Sequence, residues 1–497
     1  MRLSPAWRGL RVTGGEAMVL ERIGSAGPDG SHASRLLVGA VLLCLASLAI
    51  WWPGVVEYDS VEQYRQALSG VYVDWHPPVM ARLWSVLHAL GPGAVPMFLL
   101  QVGLYWLGLG LLAAALGRSG RRGAGVAVLL VGALPLFSAW QAAILKDTQM
   151  LGAILAAVGL VAWWRLAERR MPAAIIALVV LLLAYAALVR ANAVFAVVPL
   201  AAMLVPRPMA WWQRGSIVAA GVLAWIVLTP LINHHILGAG ETKVARTLPI
   251  YDMAGIAHFA ARDADTGILP AERALLAARH CYQPYFWDPL GDDRHCGAIA
   301  TRIDLMPGPL VFRQWLAAIA HHPVAYAEHR LSHLNSTDRF LIRSGTPDAD
   351  PPRQSEPNTL GLASPGVVAK ALAVAGGWLA ATPLGWPVAW IIVVAVGFCG
   401  ALSRRESPAR NLALALLVSA AGLEASFAVV SIASDLRYHL WPMIAAVLAI
   451  LLLSGSGEWP KRPIQIGGLI LFLVVVAATT ARLSLPRSPG SYQGMLG

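Results

Sequence analysis

Charged side chains are scarce in this sequence. Only 13% of its 497 residues are Asp, Glu, Lys or Arg, 57% are hydrophobic, and the mean hydropathy is +0.61. A soluble globular chain carries roughly a quarter charged residues. This composition excludes a soluble protein and predicts a chain that crosses a membrane several times.

The long apolar runs also lack any alternation of polar and apolar residues, as residues 173–188 and 391–401 illustrate. Strands of an outer-membrane barrel alternate in this way, so the pattern argues against a barrel. Each span must then be a helix, because lipid offers no partner to free backbone groups. We predict an all-α, polytopic membrane protein with about eleven transmembrane helices and a small, mostly helical periplasmic domain.

Basic residues alternate with the apolar runs and predict the topology. Arginines precede the first apolar run. They predict a protein of the bacterial inner (plasma) membrane whose N-terminus lies on the cytoplasmic side. Residues 36–52 are predicted as the first helix and 126–138 as a single helix. The segment 367–381 is predicted to lie along the outer interface, because a crossing there would place the arginines after residue 401 outside.

This topology divides the chain into segments. The predicted boundaries are a disordered cytoplasmic tail at 1–35, an N-terminal transmembrane module at 36–236 with its first outer loop at 53–93, a periplasmic domain with the interfacial helix at 237–385, C-terminal transmembrane helices at 386–481, and a tail at 482–497.

The net charge of +11 does not indicate nucleic-acid binding. Lysine and arginine accumulate in the predicted cytoplasmic loops, as the positive-inside rule requires. No basic patch is interleaved with aromatic residues in the way that base stacking needs. We therefore expect no nucleic-acid partner.

Cysteine is also rare, with four residues in the chain. Cys44 and Cys399 lie inside apolar runs, where a thiol packs as a small apolar group. Cys281 and Cys296 fall in the predicted outer domain. In an oxidising compartment they are candidates for a disulfide, and the alternative is two free thiols.

Titratable residues concentrate at the predicted outer face. The first outer loop holds Glu57, Asp59, Asp74 and His76. Ionisable groups at membrane depth are expensive and usually functional, and cations at outer helix ends are uncommon. We predict that the cations bind an anionic headgroup while the carboxylates act on protons or a metal. The candidate headgroup-binding residues at later outer helix ends are Lys146, Asp147, Arg190, Arg437 and Tyr438.

These candidates also have purely structural alternatives. Asp59 could cap a helix predicted at 60–67. Lys146 and Asp147 could neutralise each other at the surface. Arg190 could extend to lipid headgroups. His76 could order only the turn before Pro77, and Arg437 could pair with Asp435 and anchor a helix end.

The first outer loop carries a family resemblance. Residues 58–67 read YDSVEQYRQA, and residues 74–78 read DWHPP. This order resembles the GT-C superfamily of membrane glycosyltransferases, which includes the protein O-mannosyltransferases and the aminoarabinose transferases. The resemblance implies that Asp59 occupies the position of the family's acidic base or metal ligand. Where the family usually has a lysine before the two prolines, this chain has His76.

The sequence therefore predicts an enzyme that moves a sugar from a polyprenyl-phosphate carrier to an envelope glycan, lipid or protein acceptor. Asp59 is the predicted base, and Glu57 or Asp74 is expected to orient it or to bind a divalent ion. The cofactor is otherwise unknown, and membrane lipids are expected partners. A transporter or flippase of a lipid-linked or anionic solute is the alternative, which Glu424 inside an apolar run favours. An envelope scaffold is a third hypothesis.

Overall fold

The computed structural model of the protein describes residues 28–455, 457–489 and 492–496. Most of the predicted tail at 1–35 lies outside these residues. The first helix, α1, spans Pro28–Trp51, so the prediction of disorder up to residue 35 is wrong for its last part. The helix extends further because Ala33 and Leu36 are buried, and Leu36 packs where Gly117 and Gly125 leave space.

The part of the chain that the structure describes is almost entirely helical. The prediction of an all-α, polytopic membrane protein is confirmed. After α1, the N-terminal half contains α2 (Tyr58–Ser69), α3 (Val79–Leu87), α4 (Val95–Arg118), α5 (Arg122–Ala133), α6 (Pro135–Ala142), α7 (Lys146–Arg165), α8 (Ala173–Val189), α9 (Val194–Leu204) and α10 (Trp211–Leu231).

Shorter helices follow in the more polar middle of the chain, and apolar helices return after it. The middle segment contains α11 (Thr247–Phe259), α12 (Pro270–Ala278), α13 (Asp288–Gly291), α14 (Gly297–Asp304), α15 (Gly308–His321) and α16 (Pro323–Thr337). The C-terminal segment contains α17 (Val367–Ala380), α18 (Pro387–Leu402), α19 (Pro408–Val430), α20 (Leu440–Leu453), α21 (Lys461–Ser484) and α22 (Tyr492–Leu496).

Seven of the described helices are long and apolar enough to cross a membrane, and five others are apolar but shorter. The helices α5 and α6 form an eighth span if they are taken together across the 54° bend between them. The single helix predicted at 126–138 is therefore wrong, because Pro135 has no N–H to continue the helix and begins α6 instead. The count of about eleven crossings, and the interfacial placement of α17, stay predictions.

The N-terminal helices pack through small residues. Gly108 of α4 and Gly159 of α7 lie against each other's helix backbone, and a side chain at either position would collide with it. Such close approach is typical of membrane helix pairs, where small residues let the backbones touch. The contact fixes α7 against α4, and so fixes the height at which Lys146 begins α7.

The basic residues that predict the cytoplasmic side gather at one end of this bundle. Arg121, before α5, donates to the carbonyl of Leu452 at the end of α20, with 2.6 Å between the atoms. Arg165, at the end of α7, donates to the carbonyl of Leu204 at the end of α9. We predict that this end faces the cytoplasm.

The middle segment has its own buried core around α11, α15 and α16. Asp252 is fully buried and accepts hydrogen bonds from Trp315 Nε1 at 2.8 Å and from Arg330. His329 Nε2 lies 3.0 Å from the same carboxylate. Arg330 also donates to the carbonyl of Ser431 at 2.8 Å, which attaches this domain to the end of α19.

A disulfide joins Cys281 and Cys296 in this domain, with Cα atoms 6.1 Å apart. At the other end of the chain, the tail predicted from residue 482 begins later, because α21 continues to Ser484. Arg482 holds this last turn by donating to the carbonyls of Phe340 and Arg339, at 3.0 and 2.6 Å.

Candidate functional site

The first outer loop is held against the segment that precedes α7. The N–H of Val55 donates to the carbonyl of Ala142 at 3.0 Å, and the carbonyl of Val55 accepts from the N–H of Ile144 at 2.8 Å. The hydroxyl of Ser60 in α2 donates to the carbonyl of Ile144. These bonds bring the first turn of α2 to the first turn of α7, although the two are far apart in sequence.

The helix α2 is bounded by its own local signals. Its N-cap is Glu57, and it ends at Gly70, which has a φ of +72° and donates its N–H to the carbonyl of Gln66. A residue without a side chain adopts this left-handed conformation at little cost. Because Glu57 occupies the cap, Asp59 lies inside the first turn, and the alternative of Asp59 as the helix cap is wrong.

Asp59 faces cations from two other parts of the chain. Its Oδ2 atom lies 2.9 Å from Lys146 Nζ and 3.6 Å from an Nη atom of Arg437. Its Oδ1 atom lies 3.4 Å from His76 Nε2. Asp59, His76, Lys146 and Arg437 therefore form one cluster, which we call the outer charge cluster.

His76 lies between Asp59 and Lys146. Its Nδ1 atom is 2.8 Å from Lys146 Nζ, and an ammonium can only donate. This requires an unprotonated Nδ1 and places the ring proton on Nε2, towards Asp59. Burial and the positive charge of Lys146 lower the pKa of His76, so the imidazole is neutral. His76 thus connects the acid and the cation without adding a charge.

Arg437 is positioned by a short 3₁₀ turn, Leu436–His439, before α20. The N–H of Leu436 donates to the carbonyl of Asp348 at 2.8 Å, which fixes the turn against the outer domain. The guanidinium pairs with Asp435 at 2.9 Å and lies 3.8 Å from Asp147 Oδ2. One arginine therefore contacts three carboxylates, including Asp59.

A second ion pair lies next to this cluster and is more deeply buried. Arg190, which follows α8, pairs with Asp147 in the first turn of α7. The Asp147 side chain is fully buried and that of Arg190 is 9% exposed, against 18% for Asp59. The Arg190 guanidinium also covers the ring of Tyr438, 4.0 Å from its centroid. The structural alternatives of a surface Lys146–Asp147 pair and of a lipid-facing Arg190 are wrong.

The formal charges of the acidic and basic side chains in these two groups cancel. Asp59, Asp147 and Asp435 balance Lys146, Arg190 and Arg437 when His76 is neutral. Burial alone would raise the pKa of Asp59, but the ammonium of Lys146, the hydrogen bond from His76 and the guanidinium of Arg437 hold it well below its usual range. The carboxylate is thus ionised, and its cations are available only to an anion that competes with it.

Glu57, the cap of α2, behaves in the opposite way. Burial raises its pKa from 4.5 to about 7, against the lowering effect of Arg437. The neighbouring carboxylates of Glu356, Asp59 and Asp348 add to the rise. A carboxyl group with a pKa near the working pH can both take up and release a proton.

This raised pKa predicts how stability depends on pH. The folded protein holds a proton on Glu57 up to about pH 7, whereas the unfolded chain loses it near pH 4.5, so this group destabilises the fold as pH rises through that window. We expect Glu57→Gln to be more stable than the wild type at pH 8, on the order of 2 kcal/mol, and equal to it at pH 4.5. Thermal unfolding of both proteins at the two pH values measures this. Glu62→Gln, one turn further along α2, is the matched control, and a Glu57→Gln effect independent of pH contradicts the assignment.

The other predicted acid of the loop has different partners. Asp74 Oδ1 accepts from the backbone N–H and the hydroxyl of Thr242, both at 2.6 Å. Its Oδ2 lies 3.4 Å from His234 Nε2. Asp74 thus ties the loop to the segment that follows β2 (Ala239–Gly240), the strand that pairs in parallel with β1 (Tyr72–Val73).

The residues around Asp59 do not suit a divalent ion. A metal at Asp59 would meet Lys146 and Arg437, which already neutralise the carboxylate. Asp74, one of the two acids predicted to bind an ion, is engaged by Thr242 and His234, and an ion bound through Glu57 stays a prediction. The pairing of Arg437 with Asp435 that the sequence offers as a structural alternative is present, at 2.9 Å, but the same guanidinium also faces Asp59 and Asp147.

No family model and no curated protein sequence matches this chain. Two solved structures are similar in part: the archaeal oligosaccharyltransferase AglB from Archaeoglobus fulgidus in complex with an inhibitory peptide and a dolichol-phosphate, and the A. fulgidus oligosaccharyltransferase in the apo form. Each is 14% identical, with a TM-score of 0.35, over 90% of this chain and 55% of that protein. This chain therefore spans about half the length of those neighbours. A similarity this low carries no functional argument.

Proposed function

We propose that this membrane protein is a GT-C type glycosyltransferase that moves a sugar from a polyprenyl-phosphate carrier to an envelope acceptor on the periplasmic side. The observation that carries the proposal is the shared position of Asp59, Lys146 and Arg437, with the two cations 2.9 and 3.6 Å from one carboxylate. The three residues come from distant parts of the chain and meet at one end of the helix bundle.

The two cations suit the carrier phosphate. As the bond between sugar and phosphate breaks, the departing phosphate gains negative charge, and preorganised cations stabilise that charge. The Lys146 and Arg437 side chains are 13% and 16% exposed, so an anion can reach them without unfolding the site. The fork of Arg437 can bind two phosphate oxygens, and Lys146 adds a point charge.

Asp59 suits the role of the base that takes the proton from the acceptor hydroxyl. In the structure its cations hold its pKa too low for this task. A phosphate that draws Lys146 and Arg437 away removes that restraint, so the pKa of Asp59 rises when the donor is in place. Donor binding and activation of the base are thereby coupled.

The buried pair next to the cluster suits a supporting role. Arg190 and Asp147 are too buried to bind the phosphate first. Asp147 instead faces Arg437 Nε at 3.8 Å, and Arg190 covers the ring of Tyr438, next to Arg437 in the chain. In this proposal the two residues orient Arg437 for the phosphate.

Binding of undecaprenyl phosphate to the purified protein in lipid nanodiscs tests the proposal. We expect Arg437→Gln to weaken this binding by about tenfold or more, because a charge-assisted hydrogen bond contributes about 1.5–3 kcal/mol. Arg437→Lys keeps the charge and loses the fork, so its affinity should be intermediate.

The matched control is Arg353→Gln, which changes an exposed arginine paired with Asp350 at 3.4 Å. Its affinity should equal that of the wild type. If the folded wild type and the folded Arg437→Gln protein bind with equal affinity, the phosphate does not bind at this site.

A transporter or flippase is the second candidate, favoured by the 54° bend between α5 and α6, since broken helices line many transporter sites. The two hypotheses differ in the fate of the donor. A transferase releases free polyprenyl phosphate when donor and acceptor are present, whereas a flippase returns the donor intact in the other leaflet.

A further inference from the structure

Three titratable side chains outside the outer charge cluster converge at a buried point. Asp338 follows the end of α16, Glu424 lies inside α19, and His439 ends the 3₁₀ turn before α20. One oxygen or nitrogen atom from each lies within 4.8 Å of the others. These are side-chain types that bind metals, and they come from three separate elements.

All three are buried, with exposures of 7% for Asp338, 7% for Glu424 and 0% for His439. The two carboxylates are therefore both removed from water. Within the described ranges, neither forms an ion pair with a lysine or arginine, and the only ion pair of Glu424 is with His439 Nδ1 at 2.9 Å. Buried carboxylates that stay ionised are normally paired or bound to a metal, and here no lysine or arginine among the described residues supplies the positive charge.

Two atoms of the group are also unsatisfied. Asp338 Oδ1 and His439 Nε2 are buried and have no hydrogen-bond partner among the described residues. Leaving such an atom without a partner costs about 1–3 kcal/mol. His439 Nδ1 lies 3.0 and 2.9 Å from the two carboxylate oxygens of Glu424, a separation that also suits two ligands of one metal ion.

We propose that Asp338, Glu424 and His439 bind one divalent transition-metal ion, Zn²⁺ or Mn²⁺. One imidazole and two carboxylates are ligands that both ions accept, at about 2.0–2.2 Å for zinc. An ion of charge +2 neutralises the two carboxylates and gives Asp338 Oδ1 a partner. Three protein ligands leave a further coordination position open. Ca²⁺ and Mg²⁺ prefer sites built from more oxygen atoms.

The position of the ion gives it a structural consequence. It connects the last turn of the outer domain, through Asp338, to two membrane helices, α19 and α20. His439 also follows Arg437 by two residues, so the ion fixes the turn that carries this arginine. Metal binding itself is independent of the proposed sugar transfer.

The test uses the full-length protein in nanodiscs, stripped with a chelator and then titrated separately with zinc chloride and manganese chloride. We expect one equivalent of at least one ion to bind and to remain after desalting, as measured by calorimetry and elemental analysis. We also expect the bound ion to raise the unfolding temperature, because it binds only the folded state. Preference for one ion over the other identifies the metal, and either preference supports the proposal.

Variants of the proposed ligands test where the ion binds. Asp338→Asn and His439→Gln should each weaken binding by more than about tenfold and abolish the rise in unfolding temperature. Asp292→Asn is the matched control, since it changes an aspartate near a histidine, His295, at 3.3 Å in the outer domain. If either variant fails to fold, Glu424→Gln replaces it. Absence of saturable binding of both ions to the wild type overturns the proposal, as does unchanged affinity in the folded variants.

Discussion

Replacing Asp59 by asparagine is expected to slow sugar transfer by roughly 10²- to 10⁴-fold, the usual contribution of a positioned general base. Asparagine has nearly the same shape but cannot accept the acceptor's proton. It also removes the charge that Lys146 and Arg437 share, at 2.9 and 3.6 Å. The cations should then bind polyprenyl phosphate at least as tightly as before. The rate is measured by transfer from a polyprenyl-phosphate sugar to an acceptor, with donor binding measured in parallel.

This combination separates a base from a binding residue. A base lowers the rate without weakening donor binding, whereas a residue needed only for folding lowers both. Glu62→Gln is the matched control, because Glu62 lies one turn further along α2 and its ion pair, with Arg65, is exposed. If a correctly inserted Asp59→Asn protein transfers the sugar at the wild-type rate, Asp59 is not the base.

Replacing Arg190 by methionine is expected to destabilise the protein by about 3–5 kcal/mol, the usual effect of breaking a buried ion pair. Asp147 is fully buried and would keep only the 3.8 Å approach of Arg437 Nε. Tyr438 would lose the guanidinium that covers its ring. Unfolding of the purified protein in detergent, monitored by circular dichroism or thiol reactivity, measures the change.

Two comparisons make this result specific. Arg353→Met removes an exposed arginine and should change stability by less than about 1 kcal/mol. Adding Asp147→Asn to the Arg190 variant should recover part of the loss, because no buried charge then lacks a partner. If Arg190→Met and Arg353→Met are equally stable, the buried pair does not support the site.

Composition and charge placement were enough to predict the class of the fold. The scarcity of charge and the unbroken apolar runs predicted an all-α membrane protein, and the structure confirms it. The helix ends at Lys146, Arg190 and Arg437 could be singled out because cations at helix ends predicted to face outward break the positive-inside pattern. Their distances to Asp59 and to each other come from packing, which a single sequence does not encode locally.

Predictions from nearby residues in the sequence were wrong where contacts between distant segments determine the structure. Asp74 looked like a partner for Asp59 because the two are near in sequence, yet Thr242 holds its carboxylate through two hydrogen bonds of 2.6 Å. The first helix begins before residue 36 because its early residues pack on glycines of later helices. The group of Asp338, Glu424 and His439 is spread over three elements, so no spacing in the sequence brings it together.

The most direct test is an electron cryo-microscopy structure of the protein in nanodiscs with bound polyprenyl phosphate. We predict a phosphate within about 2.7–3.2 Å of Lys146 Nζ and the Arg437 guanidinium, with the Asp59 carboxylate no longer in contact with either cation. A phosphate bound elsewhere, while Lys146 and Arg437 remain on Asp59, would contradict this prediction.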